Sequence, residues 1–221
     1  MTLSVPQVVL QGPRVVRLVP SARDRAPILA ALTDDGDIDA LAEIEGATSR
    51  RLLAQEGSGG RYVRGVAGES FINAAFAYPR PGCNNRFNAR DWGAWYAADR
   101  TATALMEVAY HITRELKWID NADRSAEVHW AELFAYLAGD YADLRPVPDH
   151  PSLNPDPAEG YPAGVILARE VLASKLNGIV YPSVRMPGGV CYAVLHPHAV
   201  QSVAQGELVT MRWNASGDLV D

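Results

Sequence analysis

The sequence predicts an α+β fold in a single domain. Short β-prone runs lie near both ends of the chain, QVVL and RVVRLV within residues 7–19 and GIVYPSV and VCYAVLH within residues 178–196. Apolar residues recur at helical spacing between them, and no regular βαβ alternation connects the runs. With 221 residues the chain can bury one sizeable core, whereas two full domains would be cramped. We therefore expect one domain over residues 1–221.

Composition and charge narrow the class of protein. The chain is 48% hydrophobic and 21% charged, which is ordinary for a globular protein. Its net charge of -6 argues against general nucleic-acid binding and against binding to anionic membranes. The first residues do not form a signal peptide, and no apolar run approaches the roughly 18 residues of a membrane span. Two cysteines, Cys83 and Cys191, are too few for a disulfide scaffold. We expect a cytoplasmic protein.

The N-terminal third predicts strands followed by helices. Gly12-Pro13 is a turn signal, so residues 7–20 are expected to form two short strands. Helical spacing over residues 26–32 and 38–55 predicts a helical insertion at about 26–56. The Gly-rich residues 57–60 form a flexible break.

Two apolar segments leave the choice between helix and strand open. Phe71–Tyr78 reads FINAAFAY and is too short for its periodicity to decide. The segment 126–138, which contains WAELFAYLA, is equally ambiguous.

The middle of the chain predicts a strand followed by a helix. Aromatic enrichment in WGAWYAA, residues 92–98, favours a half-buried strand. Asp99 or Thr101 can cap a helix that runs from Ala102 to about Trp118. One helical stripe is apolar and is expected to be buried: Leu105, Val108, Ala109, Ile112 and Leu116. Glu107, His111 and Arg114 form an adjoining polar stripe, which is either a solvated face or one side of a site.

The C-terminal third predicts a loop, a helix and several strands. Frequent prolines over residues 145–162 indicate a long surface loop. A helix is expected over residues 163–176, ended by Asn177-Gly178. Two strands should follow around the turn at residues 186–189, and residues 199–221 should add one or two more.

Several familiar catalytic motifs are absent from the sequence. It contains no GxGxxG, P-loop, GxSxG or HExxH pattern. His196 and His198 form an HxH pair, but no further cysteine, histidine or acidic pair follows nearby to complete the three or four ligands of a zinc site. No metal is expected.

Three side chains in the stretch from Asn84 to His111 suggest a nucleotide site. Arg86 offers a fork of donors suited to phosphate or carboxylate. Tyr96 offers a flat ring with a polar tip. Glu107, set among Met, Val, Ala and Tyr, can bind sugar hydroxyls or stabilise a developing cation. Arg17, taken alone, is most simply a strand residue that faces solvent.

The ordered set of Arg17 in RLVPS, Arg86 in NNRFN, Tyr96 in WYAAD, Glu107 in TALMEVAYH and Ser183 in YPSVRMPGG resembles the RES-domain family. The resemblance covers about residues 14–198. One departure is Asn85, which stands where a glycine usually precedes the RFN-type segment. The family includes bacterial toxins paired with Xre-type antitoxins.

The resemblance implies a fold related to ADP-ribosyltransferases, with a split antiparallel β core flanked by helices and NAD bound in its cleft. It implies cleavage of the nicotinamide–ribose bond by an NAD glycohydrolase or phosphorylase, that is, a hydrolase or glycosidase activity. Arg86, Glu107 and Ser183 carry over as catalytic residues. Arg17, Arg86, Tyr96 and Ser183 carry over as the residues that bind NAD.

Two alternatives stay open. The chain could be a mono-ADP-ribosyltransferase that modifies a protein, although Leu105 stands where many such enzymes carry a second glutamate two residues before Glu107. It could also be a non-catalytic NAD-binding module. Water, phosphate and protein all remain possible acceptors of the ADP-ribose.

Overall fold

The computed structural model describes residues 3–21, 62–77, 85–118 and 123–220. Its elements in chain order are β1 (Gln7–Pro20), α1 (Glu69–Ala77), β2 (Trp95–Ala98), α2 (Thr101–Trp118), β3 (Ala126–Asp143), a 3₁₀ turn (Pro151–Leu153), α3 (Pro157–Ala173), β4 (Gly178–Pro182), β5 (Val190–Val194), a second 3₁₀ turn (Pro197–Ala199) and β6 (Val200–Trp213). The insertion expected at about 26–56 and the break at 57–60 lie outside the described residues. No helix in the described ranges is long and apolar enough to cross a membrane.

The strands form a six-stranded sheet in the order β1-β2-β5-β4-β3-β6. Every pairing is antiparallel except that between β3 and β4. β1 also pairs along β3, so β1, β2, β5, β4 and β3 form a closed circuit of pairings. β6 is added outside this circuit on β3. The mixed α+β class and its mostly antiparallel core are confirmed.

The sheet separates two apolar cores. Neighbouring strand residues point to opposite faces, so Val15 lies in one core and Val16 in the other. Helix α1 packs on the Val15 side through Ile72 and Phe76, whereas α2 and α3 pack on the Val16 side. Because both faces are covered, β4 and β5 are almost continuously buried rather than alternating.

The expected split of β1 into two strands is wrong. One 14-residue strand spans Gln7–Pro20 and pairs with β3 along most of its length. The register shifts between Gln11 and Arg14, where Gly12 adopts a φ of +82°. Gly tolerates that left-handed conformation, and Pro13 has no N–H to donate. The turn signal therefore marks an irregularity inside a strand whose long partner continues past it.

The two segments for which the choice between helix and strand was left open adopt different structures. Residues 71–77 of the first segment lie in α1, which buries Ile72, Asn73 and Phe76 at helical spacing. The Asn73 side chain accepts from the N–H of Val63 and donates to its carbonyl, at 3.1 and 2.9 Å. The segment containing WAELFAYLA belongs to β3, which β1 and β6 flank on either side. Residues on both faces of β3 are buried, Trp130 in one core and Leu133 in the other, so its sequence lacks clear alternation.

The prediction of a loop over residues 145–162 is partly wrong. A 3₁₀ turn lies at Pro151–Leu153, and α3 begins at Pro157 rather than at residue 163. Asp156 caps this helix, because its carboxylate accepts from the N–H of Ala158 at 2.9 Å. Proline suits the first helical turn, where N–H groups lack partners anyway. Helix α3 ends at Ala173, before the expected end at residue 176.

Most of the remaining elements match the expectations. Helix α2 spans Thr101–Trp118, and β4 and β5 pair around the predicted turn. Strand β2 is shorter than WGAWYAA and begins at Trp95. The C-terminal segment forms one long strand, β6. On α2 only Ala109 of the predicted stripe is fully buried, because the four larger residues pack at the margin of the core.

Candidate functional site

A cleft of about 590 Å³ lies beside α2, where β1 and β2 meet the helix. Strand β1 contributes Arg17 and β2 contributes Tyr96, while α2 contributes Glu107 and His111. Tyr161 of α3 lies on the same wall. Three of the five residues expected to form the site therefore line one cavity. The fourth, Ser183, is connected to the cavity through its hydrogen bond to Glu107, whereas Arg86 is not among the lining residues.

Glu107 is held by Ser183. The Ser183 hydroxyl donates to Oε1 of Glu107 at 2.6 Å and accepts from the backbone N–H groups of Arg185 and Met186 at 3.2 and 2.9 Å. A hydroxyl has one proton to donate and two lone pairs with which to accept. The two N–H groups occupy the lone pairs, so the proton is directed to the carboxylate. This arrangement fixes the orientation of Glu107.

Cys191 of β5 is a second neighbour of this carboxylate. Its Sγ lies 3.7 Å from Oε1 of Glu107, and the residue is 2% exposed. Burial, with the nearby Glu107 charge, raises the pKa of the Cys191 thiol far above its usual value. The thiol stays protonated and acts as a weak donor to Glu107 rather than as a nucleophile.

Arg17 forms a cationic part of the cleft wall. Its Nη1 donates to the carbonyl of Tyr96 at 2.9 Å, and its guanidinium lies 5.0 Å from the Trp95 ring centroid. Burial lowers the pKa of Arg17 to about 10, so it remains protonated at neutral pH. Within the described residues no carboxylate forms an ion pair with it. The simple interpretation of Arg17 as a solvent-facing strand residue is wrong.

Tyr96 lines the cleft, and its hydroxyl is hydrogen-bonded to other residues of the protein. The hydroxyl donates to Oδ1 of Asn88 and accepts from the N–H of Phe87, both at 2.9 Å. The Asn88 amide in turn donates to the carbonyl of Trp92 at 2.9 Å. Burial raises the pKa of the Tyr96 phenol, which stays neutral. These bonds attach residues 85–92 to β2.

Arg86 is buried and lies beside Tyr161, a residue that lines the cleft. Its Nη1 donates to the carbonyls of Ser152 and Asn154, and its guanidinium lies 5.4 Å from the Tyr161 ring centroid. The approach is close: a Cβ added at Gly160 of α3 would lie 2.9 Å from Nη1. Arg86 therefore ties the segment before α3 to the segment before β2.

Sequence reasoning did not single out Asn88 or Tyr161 as site residues. Asn88 is 2% exposed and lines the cleft, and its position two residues after Arg86 was a usable signal. Tyr161 lies in the segment taken for a loop, so nothing in the pattern placed it near Arg86. His196 precedes the second 3₁₀ turn and His198 lies within it, and the described residues contain no group of three or more potential metal ligands.

Comparison with known proteins identifies the family. The family model described as "RES domain" matches residues 62–214, well over half of the chain. No curated protein matches the chain. Among solved structures, the crystal structure of the M. tuberculosis MbcT–MbcA toxin–antitoxin complex is similar at 13% identity and a TM-score of 0.43, covering 92% of this chain and 86% of that chain. The length and position of the match to the family model show that this chain belongs to the RES-domain family.

Proposed function

We propose that this protein is a toxin that cleaves the nicotinamide–ribose bond of NAD. The observation that carries the proposal is the carboxylate of Glu107, which lines the cleft and is oriented by the Ser183 hydroxyl at 2.6 Å. A fixed anion beside a cavity of about 590 Å³ suits a reaction in which positive charge develops on a bound sugar. The resemblance of the motifs to the RES-domain family agrees with this chemistry.

The reaction breaks the bond between C1′ of the ribose and the ring nitrogen of nicotinamide. The electron pair leaves with nicotinamide, which becomes neutral, and the ribose acquires oxocarbenium character. Glu107 stabilises that charge and accepts hydrogen bonds from the ribose hydroxyls. A water molecule or a phosphate oxygen then attacks C1′, and any proton lost passes to solvent. The leaving group is already cationic, so the step requires no metal.

The other site residues bind the substrate in this proposal. Arg17 presents a guanidinium to the cleft and would contact the NAD diphosphate. The Tyr96 ring would pack against a nucleotide ring. Arg86 would add its positive charge from beside Tyr161 while holding the segment around Ser152 in place. The resemblance implied that Arg17 and Arg86 both bind NAD, and in this proposal only Arg17 contacts it directly.

A toxin of this kind needs an inhibitor in its own cell. The family resemblance points to an Xre-type antitoxin that occludes the cleft. We propose that the protein acts in the cytoplasm, where it would meet both NAD and the antitoxin. With a net charge of -6 it is not expected to bind nucleic acid itself.

Nicotinamide release tests the proposal. Purified protein is incubated with NAD in buffers with and without phosphate, and the products are separated by chromatography. Free ADP-ribose indicates hydrolysis, and ADP-ribose phosphate indicates phosphorolysis. Transfer of ADP-ribose to added cell extract protein would instead favour the ADP-ribosyltransferase alternative. Binding of NAD without release of nicotinamide would leave a non-catalytic module and reject the proposal.

A further inference from the structure

The cleft extends past the Glu107–Ser183 pair toward a second end. Strands β1 and β2 share one register pair, Val16 with Ala98, and are not paired beyond it. Helix α1 packs on one face of the sheet and α2 on the other, and both contribute lining residues to the cleft. The space that opens where the two strands part is therefore bounded by both helices.

Three titratable side chains of α2 follow the length of the cleft. Glu107, His111 and Glu115 lie four residues apart, and all three line it. Residues at this spacing share one side of a helix. At 1.5 Å of rise per residue, Glu115 lies about 12 Å along the helix axis from Glu107. In an extended dinucleotide, the diphosphate separates the two riboses by a similar span.

The direction of α2 places Glu115 at the end of the cleft away from Ser183. The hydroxyl of Thr101, at the start of α2, donates to Glu132 of β3. Twelve residues later, the hydroxyl of Thr113 accepts from Nε1 of Trp213 at 2.8 Å, and Trp213 pairs with Ala126 at the start of β3. The helix therefore runs antiparallel to β3, and Glu115 follows Thr113 toward the far end.

This far end is mainly apolar. It is lined by the last residues of β1, by a residue of α2 and by a residue of β3: Val19, Pro20, Ile112 and Trp130. Phe71 of α1 lines the same cleft and is 41% exposed, which is unusual for a large apolar side chain. An exposed aromatic ring in a largely apolar cleft suits the flat face of a nucleotide base.

The charged groups of the lining are unevenly distributed. Among the described residues that line the cleft, Arg17 is the only lysine or arginine, whereas Glu107 and Glu115 are both acidic. One guanidinium is assigned to the diphosphate in the function proposed above. The described lining then offers a carboxylate, and no second cation, to a group bound at the far end.

We infer that Glu115 determines specificity by accepting a hydrogen bond from the 2′-hydroxyl of the adenosine ribose and by repelling a 2′-phosphate at that position. The inference rests on the proposed function, because it takes NAD as the molecule in the cleft. A carboxylate accepts readily from a hydroxyl, whereas a phosphate ester is itself anionic and needs a cationic partner such as arginine. The protein should therefore bind NAD and reject NADP.

Calorimetric titration of the full chain with ADP-ribose and with its 2′-phosphorylated form tests the inference without any cleavage. Wild type should bind ADP-ribose about tenfold more tightly or better, since like charges oppose the phosphorylated form. Glu115→Lys should abolish or reverse this preference, and Glu115→Gln should narrow it. Glu170→Lys makes the same change of charge at an exposed position of α3 outside the cleft lining and should leave the preference unchanged.

Nicotinamide release from NAD and NADP gives a second measurement. Glu115→Lys should lower KM for NADP with little change in kcat, because Glu115 lies a dinucleotide's length from the reacting bond. Thermal melting confirms that the variants fold, and Glu115→Gln decides the question if Glu115→Lys does not. Equal binding of the two nucleotides by wild type, or an unchanged preference in a folded variant, overturns the inference even if NAD is cleaved. Discrimination that depends on Glu115 without nicotinamide release supports it and instead rejects the proposed reaction.

Discussion

The hydroxyl of Ser183 donates a 2.6 Å hydrogen bond to the carboxylate of Glu107, although the two residues lie 76 positions apart in sequence. One residue comes from helix α2, and the other follows strand β4. Because backbone N–H groups fill the acceptor positions of the hydroxyl, its proton has one destination. The site depends on this contact, and the first two predictions test it.

Glu107→Gln should lower the rate of NAD cleavage by roughly 10²–10³, because an amide stabilises a developing cation far less than a carboxylate does. Nicotinamide release at saturating NAD measures the loss. Glu170→Gln, which changes an exposed glutamate on α3, serves as the control and should match wild type. Wild-type turnover in a correctly folded Glu107→Gln variant would remove Glu107 from the reaction.

Ser183→Ala should lower NAD cleavage by about tenfold or more, since hydrogen bonds to charged groups contribute about 1.5–3 kcal/mol. The Glu107 carboxylate would remain but lose its orienting donor. Cys191→Ala provides the comparison, because the thiol at 3.7 Å is a weak donor and its removal should cost much less. Equal losses in the two variants would contradict the orienting role of Ser183. Thermal melting of both variants controls for stability.

Arg17 and Arg86 should differ in what their replacement changes. Arg86→Gln should lower the free energy of unfolding by about 2–4 kcal/mol, because it leaves the carbonyls of Ser152 and Asn154 without their buried donor. Arg17→Lys should mainly weaken NAD binding, because a point charge replaces a fork. Urea denaturation measures the first effect, and titration of NAD into a Glu107→Gln background measures the second. Unchanged NAD affinity in Arg17→Lys would reject a contact with the diphosphate.

Tyr141→Phe should change the response of stability to alkaline pH. Burial raises the pKa of the Tyr141 phenol, and its hydroxyl has no partner among the described residues. The unfolded phenol titrates near pH 10, so its contribution to stability is complete below that pH and is lost as pH rises above it. The variant should be as stable as wild type at pH 7 or slightly more stable. Above pH 10 the free energy of unfolding should fall less steeply in the variant than in wild type. The two slopes should differ by about 1.4 kcal/mol per pH unit. Urea midpoints at pH 7 and pH 11 check both statements, and equal slopes would contradict the second.

Expression of the chain alone should be toxic and should deplete cellular NAD. Co-expression of the neighbouring reading frame should relieve the toxicity, as should Glu107→Gln. An acidic or carboxylate-terminated segment of the partner that enters beside Arg17 would compete with the diphosphate, so NAD and partner should exclude each other in binding assays. Arg17→Gln should then weaken the complex. Harmless expression of wild type with unchanged NAD would contradict the toxin proposal.

The sequence alone determined the α+β class, most of the elements and the motif residues. Helix α2 and the pair β4–β5 were predictable because local signals agreed there: a polar cap before a periodic apolar stripe, and a glycine-rich turn between two apolar runs. The choice between helix and strand stayed open where pairing with other strands decides it. β3 is a strand because β1 and β6 pair on both of its sides, and its own pattern does not show this.

Only the tertiary structure decided which of the site residues line the cleft and which support it from outside. Arg17 and Arg86 look equivalent in sequence, yet Arg17 lines the cleft whereas Arg86 is bound to the carbonyls before α3. The two arginines differ because Arg86 meets backbone carbonyls that need a hydrogen-bond donor. Those carbonyls belong to Ser152 and Asn154, which lie more than 60 residues away along the chain. Likewise, Glu115 of α2 and Phe71 of α1 line one cleft only because the two helices pack on opposite faces of the sheet where β1 and β2 are no longer paired.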